Sequence, residues 1–236
     1  MKIKKMQHLY QLTFLPHLFP INCYLFETNS GLIVIDMGVS SFVSTIQKLA
    51  RDSHQKVAML LLTHAHGDHV NGVPAFRKAF PPHAKVGISK RDSAFLKGNF
   101  ALQAGEAQRK IKGGFSKQQI QVDFTFTDRE LINGLKVVAT PGHTPGSVSF
   151  LETATKIIVA GDALQTQGGI AVAGGVLKLR FPFPGLATWS PAIALASAKK
   201  IAQLHPAVLA VGHGGEMLLK PEKMLQKAIK AAERKV

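Results

Sequence analysis

The 236-residue chain has one cysteine, two tyrosines, one tryptophan and only 14 acidic residues against 29 basic ones. A single thiol, Cys23, allows no internal disulfide and no cysteine-built structural zinc site. No stretch of about eighteen residues is continuously apolar, which argues against a membrane span. Lys2, Lys4 and Lys5 open the chain, but Gln7, His8, Gln11, Pro16 and Pro20 interrupt any signal-peptide core. A cytoplasmic location is therefore expected. Scarce aromatics give little material for base stacking. The formal charge of +15 nevertheless draws the protein toward anionic partners, so nucleic acid has to be weighed. The hydrophobic content of 46% supports a substantial core, and residues 1–236 read as one domain.

Residues 8 to 14, 24 to 28 and 32 to 36 read as an opening β-meander, with a turn at Asn29-Ser30-Gly31. Ser40 or Ser41 can cap a helix reaching Ala50, with Phe42, Val43, Ile46 and Leu49 on its inner face. A strand at 57 to 62 follows, then a helix over Asn71 to Phe80, a strand at Lys85 to Ile88, and helical turns at Asp92 to Leu96 and Glu106 to Lys112. Strand patterns return at 122 to 126, 135 to 139, 147 to 151 and 156 to 160. Residues 163 to 188 are rich in Gly and Pro and too long for a simple connector, so they are expected to wall a pocket. Ser190-Pro191 opens a helix to Leu204, followed by a strand at 207 to 211. In the final helix Met224, Ala228, Ile229 and Ala232 can turn inward, and Lys220, Lys223, Lys227, Lys230 and Arg234 form a solvated basic face.

The chemistry is concentrated where apolar runs stop. Val57 to Leu62 leads into His64-Ala65-His66-Gly67-Asp68-His69, and so many polar groups beside a core strand would be costly unless something bound them. Leu135 to Ala139 leads to His143, Ile157 to Ala160 to Asp162, and Val208 to Val211 to His213, each time with a glycine to turn the backbone. Sites in layered α/β folds form beyond the carboxyl ends of strands, so four such ends can bring five His and two Asp together. Seven ligands exceed the four of a closed structural site and suit two divalent ions sharing one carboxylate. Imidazole and carboxylate suit zinc, with iron or manganese as alternatives. Thr63, Thr140 and Thr144 lie beside ligands, where they can orient imidazoles or serve simply as turn residues.

The set His64, His66, Asp68, His69, His143, Asp162 and His213 resembles the HxHxDH…H…D…H signature of the metallo-β-lactamase superfamily. The resemblance covers nearly the whole chain. It implies an α/β fold, a four-layer αββα sandwich of two mixed sheets flanked by helices. It also implies that one ion takes His64, His66 and His143, that the other takes Asp68, His69 and His213, and that Asp162 bridges them. Where Asp162 stands the true β-lactamases have Cys, and they lack a His at position 69. Flavodiiron proteins carry Glu in place of His66 and continue into a flavin domain. Glyoxalase II adds a helical glutathione domain, whereas only about twenty residues follow His213-Gly214-Gly215 here. Quorum-sensing lactonases share all seven ligands but use a Tyr between the bridging Asp and the last His, and this chain has none between Asp162 and His213.

The expected activity is metal-dependent hydrolysis of a small-molecule carboxylic ester, lactone or thioester by a hydroxide bridging the two ions, with Asp68 carrying a proton to the leaving group. Two alternatives follow from the same residues. One is a phosphodiesterase or nuclease, motivated by the +15 charge. The other is a mononuclear-iron enzyme like the persulfide dioxygenases of the superfamily.

Overall fold

The computed structural model describes residues 1–236. Four antiparallel strands come first, β1 (Lys2–Met6), β2 (Leu9–Phe14), β3 (Ile21–Thr28) and β4 (Gly31–Ile35). Then follow α1 (Phe42–Asp52), β5 (Val57–Leu62), α2 (Gly67–Val70), α3 (Val73–Ala79), β6 (Lys85–Ser89), α4 (Ser93–Leu96) and β7 (Phe124–Phe126). The second half holds β8 (Leu131–Ile132), β9 (Leu135–Ala139), β10 (Val148–Glu152), β11 (Ile157–Val159), β12 (Leu164–Gln165) and β13 (Ala171–Val172). It ends with α5 (Phe183–Leu186), α6 (Pro191–Gln203), β14 (Val208–Ala210), β15 (Leu218–Leu219) and α7 (Glu222–Glu233).

Two mixed sheets result. One has seven strands in the order β1 to β7, antiparallel through β4 and parallel from β4 to β7; the other runs β15-β14-β11-β10-β9-β8, with β11 and β14 parallel. Strand side chains alternate between faces, so each strand feeds two cores. Cys23, Leu25, Leu32, Val34, Leu60 and Leu62 face α1 and α3, whereas Tyr24, Phe26, Ile33, Ile35 and Leu61 meet Val137, Phe150, Val159 and Val208 between the sheets. On the far side Ile158, Leu209 and Val211 pack on α6 and α7 through Ala194, Ala198, Ile201, Leu225 and Ala228. The spacing of those helix residues at three and four positions makes one apolar stripe per helix, and the many alanines let the helices lie close. Fully burying each large aliphatic or aromatic side chain contributes about 1.5–3 kcal/mol, so the layering is set by these alternations. The αββα sandwich expected from the sequence is the observed fold.

Several local expectations are corrected. Glu106 to Lys112 forms no helix, because Gly105 turns the chain and the carbonyls of Arg109 and Lys112 accept hydrogen bonds from Trp189 and His66 instead of from their own segment. Neither Ser41 nor Ser190 makes a side-chain cap, so the proposed hydroxyl caps contribute nothing to α1 or α6. On α7 the innermost residue of the first turn is Leu225, while Met224 lies outside. The strand β1 was not anticipated; it edges its sheet, where Lys2, Lys4 and Lys5 discourage pairing with another chain. The 163 to 188 segment contains the β12–β13 pair and α5, and only part of it walls the pocket described below.

Candidate metal centre

All seven side chains singled out in the sequence meet at the carboxyl ends of four strands. His64 and His66 leave β5, and α2 presents Asp68 and His69; His143 follows β9, Asp162 sits in a short turn after β11, and His213 follows β14. Two groups of three, His64 with His66 and His143 and Asp68 with His69 and His213, each have ligand-type atoms within 4.8 Å of one another. A third group, His64 with His69 and Asp162, overlaps both. Asp162 Oδ2 lies 3.3 Å from His143 Nε2 and 3.2 Å from His213 Nε2, while Oδ1 is 3.4 Å from His69 Nε2. Its carboxylate therefore stands between the two groups. Gly212 permits this approach, since a Cβ there would collide with Asp162 Oδ1.

Hydrogen-bond partners fix which nitrogen of each ring carries a proton. His66 Nε2 donates to the Lys112 carbonyl at 2.9 Å, and His213 Nδ1 donates to the Pro20 carbonyl at 2.6 Å. Thr188 gives its own hydroxyl proton to Pro184, so it accepts from His143 Nδ1 at 3.1 Å. Thr63 likewise gives its proton to Asp36 and accepts from His64 Nδ1 at 3.1 Å. His69 Nδ1 donates to Asp36 Oδ2 at 2.7 Å. Every imidazole thus has one nitrogen tied outward and the other turned to the centre. His64 Nε2, His69 Nε2 and Asp162 Oδ1 are buried there without any hydrogen-bond partner. His66 Nδ1 and His143 Nε2 face each other at 2.9 Å with their outer nitrogens already committed as donors. Converging lone pairs of this kind are costly in a dry interior and are satisfied by a cation. The donor set fits divalent ions.

The charge pattern divides the site. Burial pushes His64 well down, helped by His69 and His66; it also lowers His66, and it takes His143 down to about 3 against the pull of Asp162. These three rings stay neutral and ready to coordinate. Burial opposes charge at His213 and His69 too, but carboxylates win: Asp162 and Asp68 push His213 up to about 10, and Asp36 and Asp162 raise His69. In turn, burial alone would raise Asp68 and Asp162, yet the His213 and His69 imidazoles hold both below the usual carboxylate range.

Above the ligands opens a cavity of about 590 Å³, walled by Phe19, Phe115, Phe183, Pro184 and Leu186. Its lining contains no Lys or Arg, and Asn71 is its one polar side chain outside the seven. Lys178 and Arg180, the two cations of the 163 to 188 segment, lie against the Gly168-Gly169 turn and outside the cavity lining. Of the three threonines, Thr63 orients an imidazole; Thr140 bonds Ser149 and Thr144 bonds Asp92. Two acids escaped the sequence reading. Asp36 serves both Thr63 and His69, and the buried Asp92 accepts from Ala65 N, Gly146 N and Thr144 Oγ1, joining ligand loops of both sheets. Asp36 had a signal, since Ile33-Val34-Ile35 runs into it as other apolar runs lead into the ligands.

The family model of the metallo-beta-lactamase superfamily matches residues 18–213. The chain belongs to this superfamily. As a member it is a metallo-hydrolase. The uncharacterized protein YobT of Bacillus subtilis (strain 168) is 43% identical over 99% of this chain and 100% of its own length. An atrochrysone carboxyl ACP thioesterase of Aspergillus chevalieri is 28% identical over 62% of this chain, which corresponds to only 41% of that larger protein. Among solved structures, TTHA1623 in a di-iron-bound form is 26% identical, with a TM-score of 0.64 over 90% of this chain and 96% of its own.

Proposed function

We propose that this chain hydrolyses a carboxylic ester, lactone or thioester of a small molecule, using two divalent cations held by His64, His66, Asp68, His69, His143, Asp162 and His213. His64, His66 and His143 would hold one ion and Asp68, His69 and His213 the other, with the Asp162 carboxylate standing between the two groups. The observation that carries this reading is the convergence of two unpartnered buried nitrogens, of His64 and His69, and one oxygen, of Asp162, with the Asp162 carboxylate between the two groups. Bound there, such ions supply Lewis acidity and bring water to a pKa of about 7, as zinc does. The outward hydrogen bonds of the five imidazoles fix which nitrogen of each ring faces the centre. Of the two ligand carboxylates lining the cavity, Asp68 is the more open, about 30% exposed against 4% for Asp162, with Oδ2 3.3 Å from His213 Nε2; that makes it the group to pass a proton to the departing atom. The apolar walls of Phe19, Phe183 and Leu186 favour a neutral acyl group.

Zinc is the first choice of metal, and the di-iron form of TTHA1623 keeps iron in contention. The thioesterase relative favours the thioester branch. Residues 1–236 are read as one domain. A cytoplasmic location is consistent with a lone buried cysteine and with the absence of any helix long and apolar enough to cross a membrane. The +15 charge keeps a phosphodiesterase acting on nucleic acid as the second reading. Metal analysis of protein purified from its own host, with turnover of aryl esters, lactones and thioesters, tests the proposal. Two ions per chain and hydrolysis lost in Asp162→Ala are expected; a metal-replete protein inert on all three substrate classes overturns it.

A further inference from the structure

A second cavity of about 560 Å³ adjoins the one above the ligands. The two share Gly113 and Phe115, and the second is lined by Arg109, Lys110, Phe100 and Leu102. Beyond Phe100 lies a larger groove, about 910 Å³, that passes Lys97 and Lys117. The three adjoin through Phe115 and Phe100, a row of cavities termed the trough, beside the His66 side of the centre, where Phe115 packs on His66 at 4.8 Å between ring centroids. The opposite, His213 side is aromatic and apolar, with Phe19 and Phe181 packed on that ring.

The trough is strongly positive. Between residues 93 and 122 stand Lys97, Arg109, Lys110, Lys112 and Lys117 against one acid, Glu106, and that carboxylate is held by Arg91. At the far end Asp123 is likewise taken by Arg77. The trough's wall is also fixed in place. Trp189 Nε1 donates to the Arg109 carbonyl at 3.1 Å, His66 Nε2 to the Lys112 carbonyl at 2.9 Å, and Gly67 N to the Gly114 carbonyl at 2.7 Å. Arg109 and Lys110 are therefore presented from a strap anchored on the centre itself. Phe100, stacked on Phe95 and 42% exposed, adds an open ring face.

We infer that the trough binds the phosphate-bearing side of a substrate whose other side is a neutral, apolar acyl group: an acyl thioester of a phosphorylated thiol of the coenzyme A type. The inference rests on the hydrolase reading and narrows it. Arg109 and Lys110 are its specificity-determining residues. Water adds to the thioester carbonyl, the carbon–sulfur bond breaks, the water oxygen stays with the acid, and the thiol leaves with one of the two water protons. A neutral acyl group accords with a reacting cavity lined by no Lys or Arg, and phosphates accord with a neighbouring trough whose nearest acids are already paired.

Calorimetric titration with coenzyme A and with pantetheine, which has the same thiol but no phosphate, reads the subsite without turnover. Coenzyme A is expected to bind at least about tenfold more tightly, a gap of about 1.4 kcal/mol, and the gap should shrink with added salt. The double variant Arg109→Ala/Lys110→Ala, altered only at exposed side chains, should bind the two alike. Equal affinities in the unaltered protein, or an undiminished preference in the variant, overturn the inference. So does an oligonucleotide that displaces coenzyme A at lower concentration, since the cations then serve nucleic acid. Phosphate-dependent binding upholds the subsite even if no thioester is cleaved, in which case the hydrolase reading fails separately.

Discussion

Single atoms decide whether this centre exists. Asp36 receives Thr63 N, Thr63 Oγ1 and His69 Nδ1, so one carboxylate orients rings that face both ligand groups. In Asp36→Asn an amide N–H replaces one of the accepting oxygens and opposes either the Thr63 N or the His69 Nδ1 donor. Metal affinity should fall about 10–100-fold, the usual consequence of disturbing a ligand's outer partner, and equilibrium dialysis against zinc measures it. Gly212 is equally exposed to test. Its missing side chain is the space that Asp162 occupies, so Gly212→Ala must move either the carboxylate or the β14 end. Loss of at least one of two bound ions is expected by elemental analysis, with the far-UV spectrum retained; two ions still bound would mean that Asp162 is not shared.

At the level of strands and loops, much was legible because hydrophobic alternation and strand-end polarity are local signals. His64, His66, Asp68, His69, His143, Asp162 and His213 could all be found from apolar runs that end in a ligand-type residue. What stayed hidden depends on neighbours distant in sequence. Short pieces such as β8, β12, β13 and β15, each of two residues, exist through pairing across the fold rather than through their own pattern. The Glu106 to Lys112 segment looked helical, yet the carbonyls of Arg109 and Lys112 are claimed by Trp189 and His66. Asp92 belongs to the same class, a residue whose role comes from the loops it joins. Burial pushes its carboxyl up to about 6 despite three hydrogen bonds. An acid raised in the folded state binds its proton more tightly there than when unfolded, so its contribution to stability is full below about pH 4 and is lost as pH rises through about 6. The expected loss is on the order of 2–3 kcal/mol. In metal-stripped protein, denaturant titrations of the natural chain and Asp92→Asn should converge by that amount between those pH values; a pH-independent difference would contradict it.

Across the whole molecule, the sheets are joined by apolar contacts in the middle and by the ligand cluster at one end. Each proposed ion would draw on both: His64 and His66 come from the seven-stranded sheet and His143 from the other, while Asp68 and His69 are matched by His213. Metal binding is therefore linked to keeping the sandwich closed. An ion present at about 100 to 1,000 times its dissociation constant stabilises the folded state by about 2.7–4.1 kcal/mol. For a chain of this length each kcal/mol moves the melting temperature by about 2–4 °C. Removing the metals with a chelator should lower Tm by on the order of 10 °C, with recovery when zinc is returned, as followed by calorimetry. The Asp162→Ala protein should respond much less, because it has lost the shared carboxylate. If chelation left Tm unchanged while metal analysis showed the ions gone, the cluster would not be coupled to the packing of the two sheets, and the catalytic and structural roles proposed for Asp162 would have to be separated.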